Sequence, residues 1–158
     1  EIRSSPERLD LSGRQLTTCA VVEGEPRLRL LNYQHNLIER VDHMQRLPNL
    51  IFLDLFNNRL TSLAGLEPLT ALRVLMVGRN RLASLAGVQA LRSLDVLDAH
   101  SNALTSLEPA SGLIGLRVLN VSDNALQQIP SLERMASLAE LNLRRNKLTN
   151  VNPLASLP

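Results

Sequence analysis

The stretch LIFLDLFNNRLTSLAGLEPLTA, Leu50 to Ala71, decides the fold, because its pattern returns in phase along the chain. Leucines stand at its places one, four, six, eleven, fourteen, seventeen and twenty, and Asn58 stands at place nine. First-place leucines recur as Leu28, Leu50, Leu72, Leu94, Leu116 and Leu138, and ninth-place asparagines as Asn36, Asn58, Asn80, Asn102, Asn124 and Asn146, always 22 residues apart. Strict self-similarity at such a period is the signature of a stacked-coil architecture.

Within each unit the spacing of apolar residues changes. Places four and six, such as Leu53 and Leu55, alternate with polar residues at the period of two that belongs to a strand. Places fourteen, seventeen and twenty, such as Leu63, Leu66 and Leu69, come every third residue and match a 3₁₀ return, where side chains at i and i+3 lie one above the other. The triplet recurs as Val41, Met44, Leu47; Leu85, Val88, Leu91; Ile129, Leu132, Met135; and Val151, Leu154, Leu157. One such coil cannot bury enough apolar surface to stand alone, so the coils must stack. The expectation is an α/β solenoid with short parallel strands on the concave face and 3₁₀-like returns on the convex face. The ninth-place amides are expected to turn inward and satisfy backbone groups that stacking buries.

The predicted organisation is a polar tail at 1–5, a degenerate capping repeat at 6–27, and repeats at 28–49, 50–71, 72–93, 94–115, 116–137 and 138–158. In the first repeat Leu9, Leu11, Leu16, Cys19 and Val22 keep the interior places, while Arg14 replaces the asparagine and Glu25 the last leucine. The opening at Glu1 without Met, and the stop at place 21 of a repeat, suggest a piece of a longer protein.

Composition narrows the class. The chain has 158 residues, 44% hydrophobic, with only 2% aromatic, as expected where identical interior places must match above and below. The net charge of +2 selects no partner, although a pI near 9.3 keeps acidic partners in view. A single cysteine cannot form an intramolecular disulfide, which favours a reducing, cytoplasmic setting. No apolar run approaches the roughly 18 residues of a membrane span, and no membrane partner is expected.

The consensus L-x-x-L-x-L-x-x-N-x-L resembles the leucine-rich repeat family. The 22-residue form with its short return is similar to the intracellular subclass typified by a regulatory subunit of protein phosphatase 1. More narrowly, RLLNYQHNLIERV (Arg29 to Val41), NLIFLDLFNNRL (Asn49 to Leu60) and SLDVLDAHSNALTSLE (Ser93 to Glu108) resemble the repeats of the leucine-rich repeat-containing protein 49 family, which supplies a subunit of a tubulin polyglutamylase complex. That resemblance implies a protein of the microtubule cytoskeleton, at the cilium, centrosome or basal body, with a tubulin-modifying complex or another cytoskeletal protein as partner. No binding residues carry over from it.

Catalytic, metal-binding and cofactor motifs are not found. His35 and His100 lie three coils apart, about 14 Å at strand spacing, too far to share a metal. Asp10, Asp54 and Asp98 are two coils apart, and a solvated polar stripe is their simplest reading. No glycine-rich phosphate loop appears, so neither an enzyme nor a small-molecule substrate is expected.

What remains is a binding surface. Places two, three, five, seven, eight and ten are expected to face outward. Place three reads Leu30, Phe52, Val74, Val96 and Val118, a run that good cross-strand pairing alone would also favour. Phe52 and Phe56, both phenylalanines of the chain, are expected to be exposed together, with Met76 and Gly78 beside them, as an interface anchor. Asp54, Arg79, Asp98, His100, Arg144 and Arg145 complete the candidate partner site, with a charge-mixed solubilising face as the plainer alternative. The scarcity of stacking aromatics argues against nucleic acid. The expected function is an interaction scaffold; a phosphatase regulatory subunit and a ribonucleoprotein component are the alternatives.

Overall fold

The structure is a computed structural model that describes residues 7–19 and 26–149. The tail at 1–5, Val22, Glu25 and the triplet Val151, Leu154, Leu157 lie outside the described residues. Seven three-residue strands follow one another: β1 (Arg8–Asp10), β2 (Leu30–Asn32), β3 (Phe52–Asp54), β4 (Val74–Met76), β5 (Val96–Asp98), β6 (Val118–Asn120) and β7 (Glu140–Asn142). They form one parallel sheet in sequence order. Each residue pairs with the one 22 positions on, as Leu31 with Leu53 and Leu53 with Leu75. The mid-strand leucines point inward and those of β2 to β6 are buried, while β1 and β7 leave Leu9 and Leu141 partly covered.

The period of three is visible as hydrogen bonding. Leu66 N–H donates to Leu63 O (3.3 Å), Leu69 to Leu66 (2.9 Å) and Leu72 to Leu69 (3.1 Å), so each apolar residue of the return closes a turn on the one before it. Regular 3₁₀ segments form at Met44–Arg46, Val88–Ala90 and Glu108–Ala110. The returns are entered through left-handed backbone at His43, Gly65 and Gly87. A Cβ at Gly65 would overlap the carbonyl oxygen of Val41 in the preceding coil, so here glycine is required.

The asparagines tie the coils together. Asn102 donates through Nδ2 to Ala99 O (3.1 Å) in its own coil and to Val77 O (3.0 Å) in the one before, and its Oδ1 accepts from Leu82 N–H (2.9 Å). Asn36, Asn58, Asn80, Asn124 and Asn146 repeat this pattern. An amide serves because it donates and accepts at once. Cys19 is buried as expected.

Two features of the strand-to-return corner depart from the sequence reading. Place five, expected to be solvated, instead caps the corner with its short polar side chains. Asp10, Asn32, Asp54, Asp98, Asn120 and Asn142 each accept, through Oδ1, the N–H two residues on, at 2.9–3.1 Å. An Asx side chain is the right length to receive that N–H once the chain leaves the strand. Met76 alone breaks the series. Place eight, expected merely to face outward, is left-handed in every coil: Gly13, His35, Asn57, Arg79, Ser101, Asp123 and Arg145 all have φ between 52° and 62°. Asn, Asp and His tolerate this conformation better than most residues, and the two arginines hold it at some strain.

Candidate functional site

Leu30, Phe52, Val74, Val96 and Val118 stand side by side at the openings of β2 to β6, each half-buried. The ladder is bounded by charge, with Arg8 beyond Leu30 and Glu140 beyond Val118. Phe52 and Phe56, expected to be exposed, are both only half-exposed. Phe52 stands between Leu30 and Val74 in the register of the sheet, while Phe56 is held by side chains from three coils.

Phe56 occupies place seven after β3. His35 meets it edge-on, with ring centroids 5.5 Å apart at 87°. From the other side the His100 ring lies 5.6 Å away, tilted 38°. His100 is two coils from Phe56 and reaches it because Gly78 stands between: a Cβ there would lie 2.5 Å from His100 Nε2. The Arg79 guanidinium carbon sits 5.9 Å from the Phe56 centroid, within range of a cation–π contact. His35 is fixed in turn by Asn57 Nδ2 at 2.8 Å from its Nδ1, and His100 by Ser101 Oγ at 3.0 Å. The result is an apolar ring surrounded by nitrogen-rich groups. Sequence spacing sets His35 and His100 apart as too distant for shared chemistry. They share a ring instead, and the small residue at place seven of the intervening coil is the signal for it.

Asp54 is a correction. Expected among the outward-facing candidates, it is buried, its carboxylate accepting from Phe56 N–H (3.0 Å) and from the Gln34 amide. It positions the corner that carries Phe56. Asp98 is half-buried, caps His100 N–H and lies 3.9 Å from His100 Nε2. Met76 is half-buried in β4 between Asp54 and Asp98. Arg144 and Arg145 do not join the Phe56 cluster; they sit past β7, where Arg145 pairs with Asp123 at 3.4 Å.

These strands, corners and amide ladders define a parallel-strand solenoid of the kind that presents a concave binding face. The sequence profile described as leucine rich repeat matches residues 92–148, and a two-copy leucine rich repeat profile matches 26–68 and 48–92. The chain belongs to the leucine-rich repeat family. It is similar to leucine-rich repeat-containing protein 49 of Mus musculus, 48% identical over 46 residues, 29% of this chain and 7% of that protein. The matched segment thus spans a small part of the relative's length. Among solved structures, internalin C2 of Listeria monocytogenes superposes with a TM-score of 0.87 at 25% identity, covering 96% of this chain and 67% of that one. The ectodomain of the plant receptor kinase GASSHO1/SCHENGEN3 from Arabidopsis thaliana, solved with CASPARIAN STRIP INTEGRITY FACTOR 2, reaches 0.77 at 26% identity over 95% of this chain and 20% of that one.

Proposed function

We propose that this chain is a non-catalytic protein-interaction scaffold that engages a partner protein across the N-terminal half of its concave face, and that the partner belongs to the microtubule cytoskeleton. The clamped Phe56 carries this reading. An aromatic held by His35, His100 and Arg79 beside a half-buried apolar ladder is pre-ordered, so little side-chain freedom is lost on binding. The likeness to leucine-rich repeat-containing protein 49 supports the cytoskeletal assignment and a cytoplasmic site of action, at the centrosome or basal body. Regulation of a phosphatase would use the same face and differs only in partner. A ribonucleoprotein role is disfavoured, because Phe52 and Phe56 are the only phenylalanines of the face and the imidazoles of His35 and His100 are turned onto Phe56.

The test compares Phe52→Ala and Phe56→Ala with Ile114→Ala, a control at an exposed apolar residue of the return side, 67% accessible. Each is assayed for thermal midpoint and for recovery of tubulin and its modifying enzymes from cell extract. Recovery should fall roughly thirtyfold for Phe56→Ala, the equivalent of about 2 kcal/mol, with the midpoint nearly unchanged. Unchanged recovery by folded Phe52→Ala and Phe56→Ala protein would show that the rings are structural.

A further inference from the structure

The place-two row on the rim of the sheet has a charge order that the concave-face reading does not use. From coil to coil it runs Glu7, Arg29, Ile51, Arg73, Asp95, Arg117, Ala139. From Glu7 to Arg117 the signs alternate, except that Ile51 stands where an acid would continue the series. An open groove of about 480 Å³ lies there, lined by Arg29, Arg73, Ile51, Asn49, Ala71 and Pro26 among others.

The same row shows what a filled position looks like. Arg117 forks onto Asp95 one coil back, with Nε to Oδ1 at 2.5 Å and Nη2 to Oδ2 at 2.9 Å. Glu7, the one carboxylate on the groove, is engaged by Arg27 at 3.4 Å. Arg29 and Arg73 are exposed, and among the described residues neither has an ion-pair contact. They stand two strand spacings apart, about 10 Å, so both long side chains can fold towards one group held above Ile51.

We propose that this groove binds an acidic peptide segment, seating one Glu or Asp carboxylate between Arg29 and Arg73 with its aliphatic stem on Ile51. The bound carboxylate takes the place of the missing acid, so the row alternates without a break from Glu7 to Arg117. Charge complementarity selects the carboxylate. The apolar floor of Ile51, Ala71 and Pro26 selects a side-chain stem, and the absence of any aromatic ring from the lining disfavours a stacked base. The site lies on the rim and does not depend on Phe52 or Phe56.

The experiment measures fluorescence anisotropy of dye-labelled oligoglutamate on the intact chain at low salt, with oligoglutamine, oligouridine and inorganic phosphate as comparison probes. Oligoglutamate should bind best. Arg29→Gln and Arg73→Gln should each weaken it about fivefold, in keeping with exposed charge pairs. The decisive variant is Ile51→Glu, which supplies an internal carboxylate: it should abolish binding with both arginines in place, whereas Ile51→Gln retains it. Denaturation midpoints of all four variants establish that the comparison is between folded proteins. Full affinity in Ile51→Glu would overturn the proposal. So would binding of oligoglutamine equal to that of oligoglutamate, or tighter binding of oligouridine or phosphate with the same dependence on Arg29 and Arg73.

Discussion

Replacing Asn102 with leucine removes one acceptor and two donors that join three stretches of backbone, so Val77 O, Ala99 O and Leu82 N–H lose their partner together. The expected cost is about 1–3 kcal/mol, seen as a lower denaturant midpoint. Asn32→Leu removes one local bond, to Gln34 N–H, and should cost about 1 kcal/mol or less; equal midpoints for the two variants would contradict the ladder. At Gly65, alanine meets both left-handed backbone (φ 103°) and the Val41 carbonyl, for an expected loss of about 2–4 kcal/mol. Gly87 shares the φ, at 104°, but its Cβ would sit 3.4 Å from the nearest atom, so Gly87→Ala should cost only about 1 kcal/mol. Burial pushes the Cys19 thiol up to about 11, so alkylation at pH 8 should be negligible in the native state and appear with unfolding. The ninth-place amides were legible because a polar residue spaced regularly among core leucines must answer backbone groups that the core buries. The caps at place five were not, because alternation along a strand says only that a side chain leaves the core. The clue lay in chemistry: six of the seven residues there are Asp or Asn, the types whose oxygen reaches the N–H two residues on.

At the scale of elements, strands and returns were readable because their periods, two and three, differ. The corner between them has no period, and its left-handed residue at place eight is filled by types as unlike as Gly13, Asn57 and Arg145. The contact of His100 with Phe56 was hidden for a related reason: it skips a coil and depends on what Gly78 lacks. Gly78→Ala should therefore expel the His100 ring from Phe56 at little cost to stability, since the clash is with a side chain that can swing away. Loss of the nuclear Overhauser contact between the two rings would report the change, and partner recovery should fall as for Phe56→Ala. The opposite result, a retained ring contact in a stable variant, would mean the backbone shifts instead. Amide exchange should be slowest in β3 to β5 and fastest in β1 and β7, whose central leucines are incompletely covered.

Across the whole molecule, the concave apolar ladder is legible in the sequence but its exposure is not, because half-burial comes from neighbours one coil away. Arg145 shares its place in the repeat with Arg79, but it lies four coils from Phe56, about 19 Å at strand spacing and beyond the reach of its side chain. Every asparagine of the ladder finds its acceptor 25 residues back and its donor 20 back, and every strand residue its partner 22 away. No described coil depends on its absolute number along the chain. A tandem copy of 72–93 inserted after Ser93 would meet every one of these addresses and lengthen the protein by about 4.8 Å, although it would carry His100 a coil further from Phe56. Adding a single residue at the same point would misdirect all three kinds of bond at once. The chain is written in units that can be counted but not trimmed, so evolution or design can extend its binding face by whole coils.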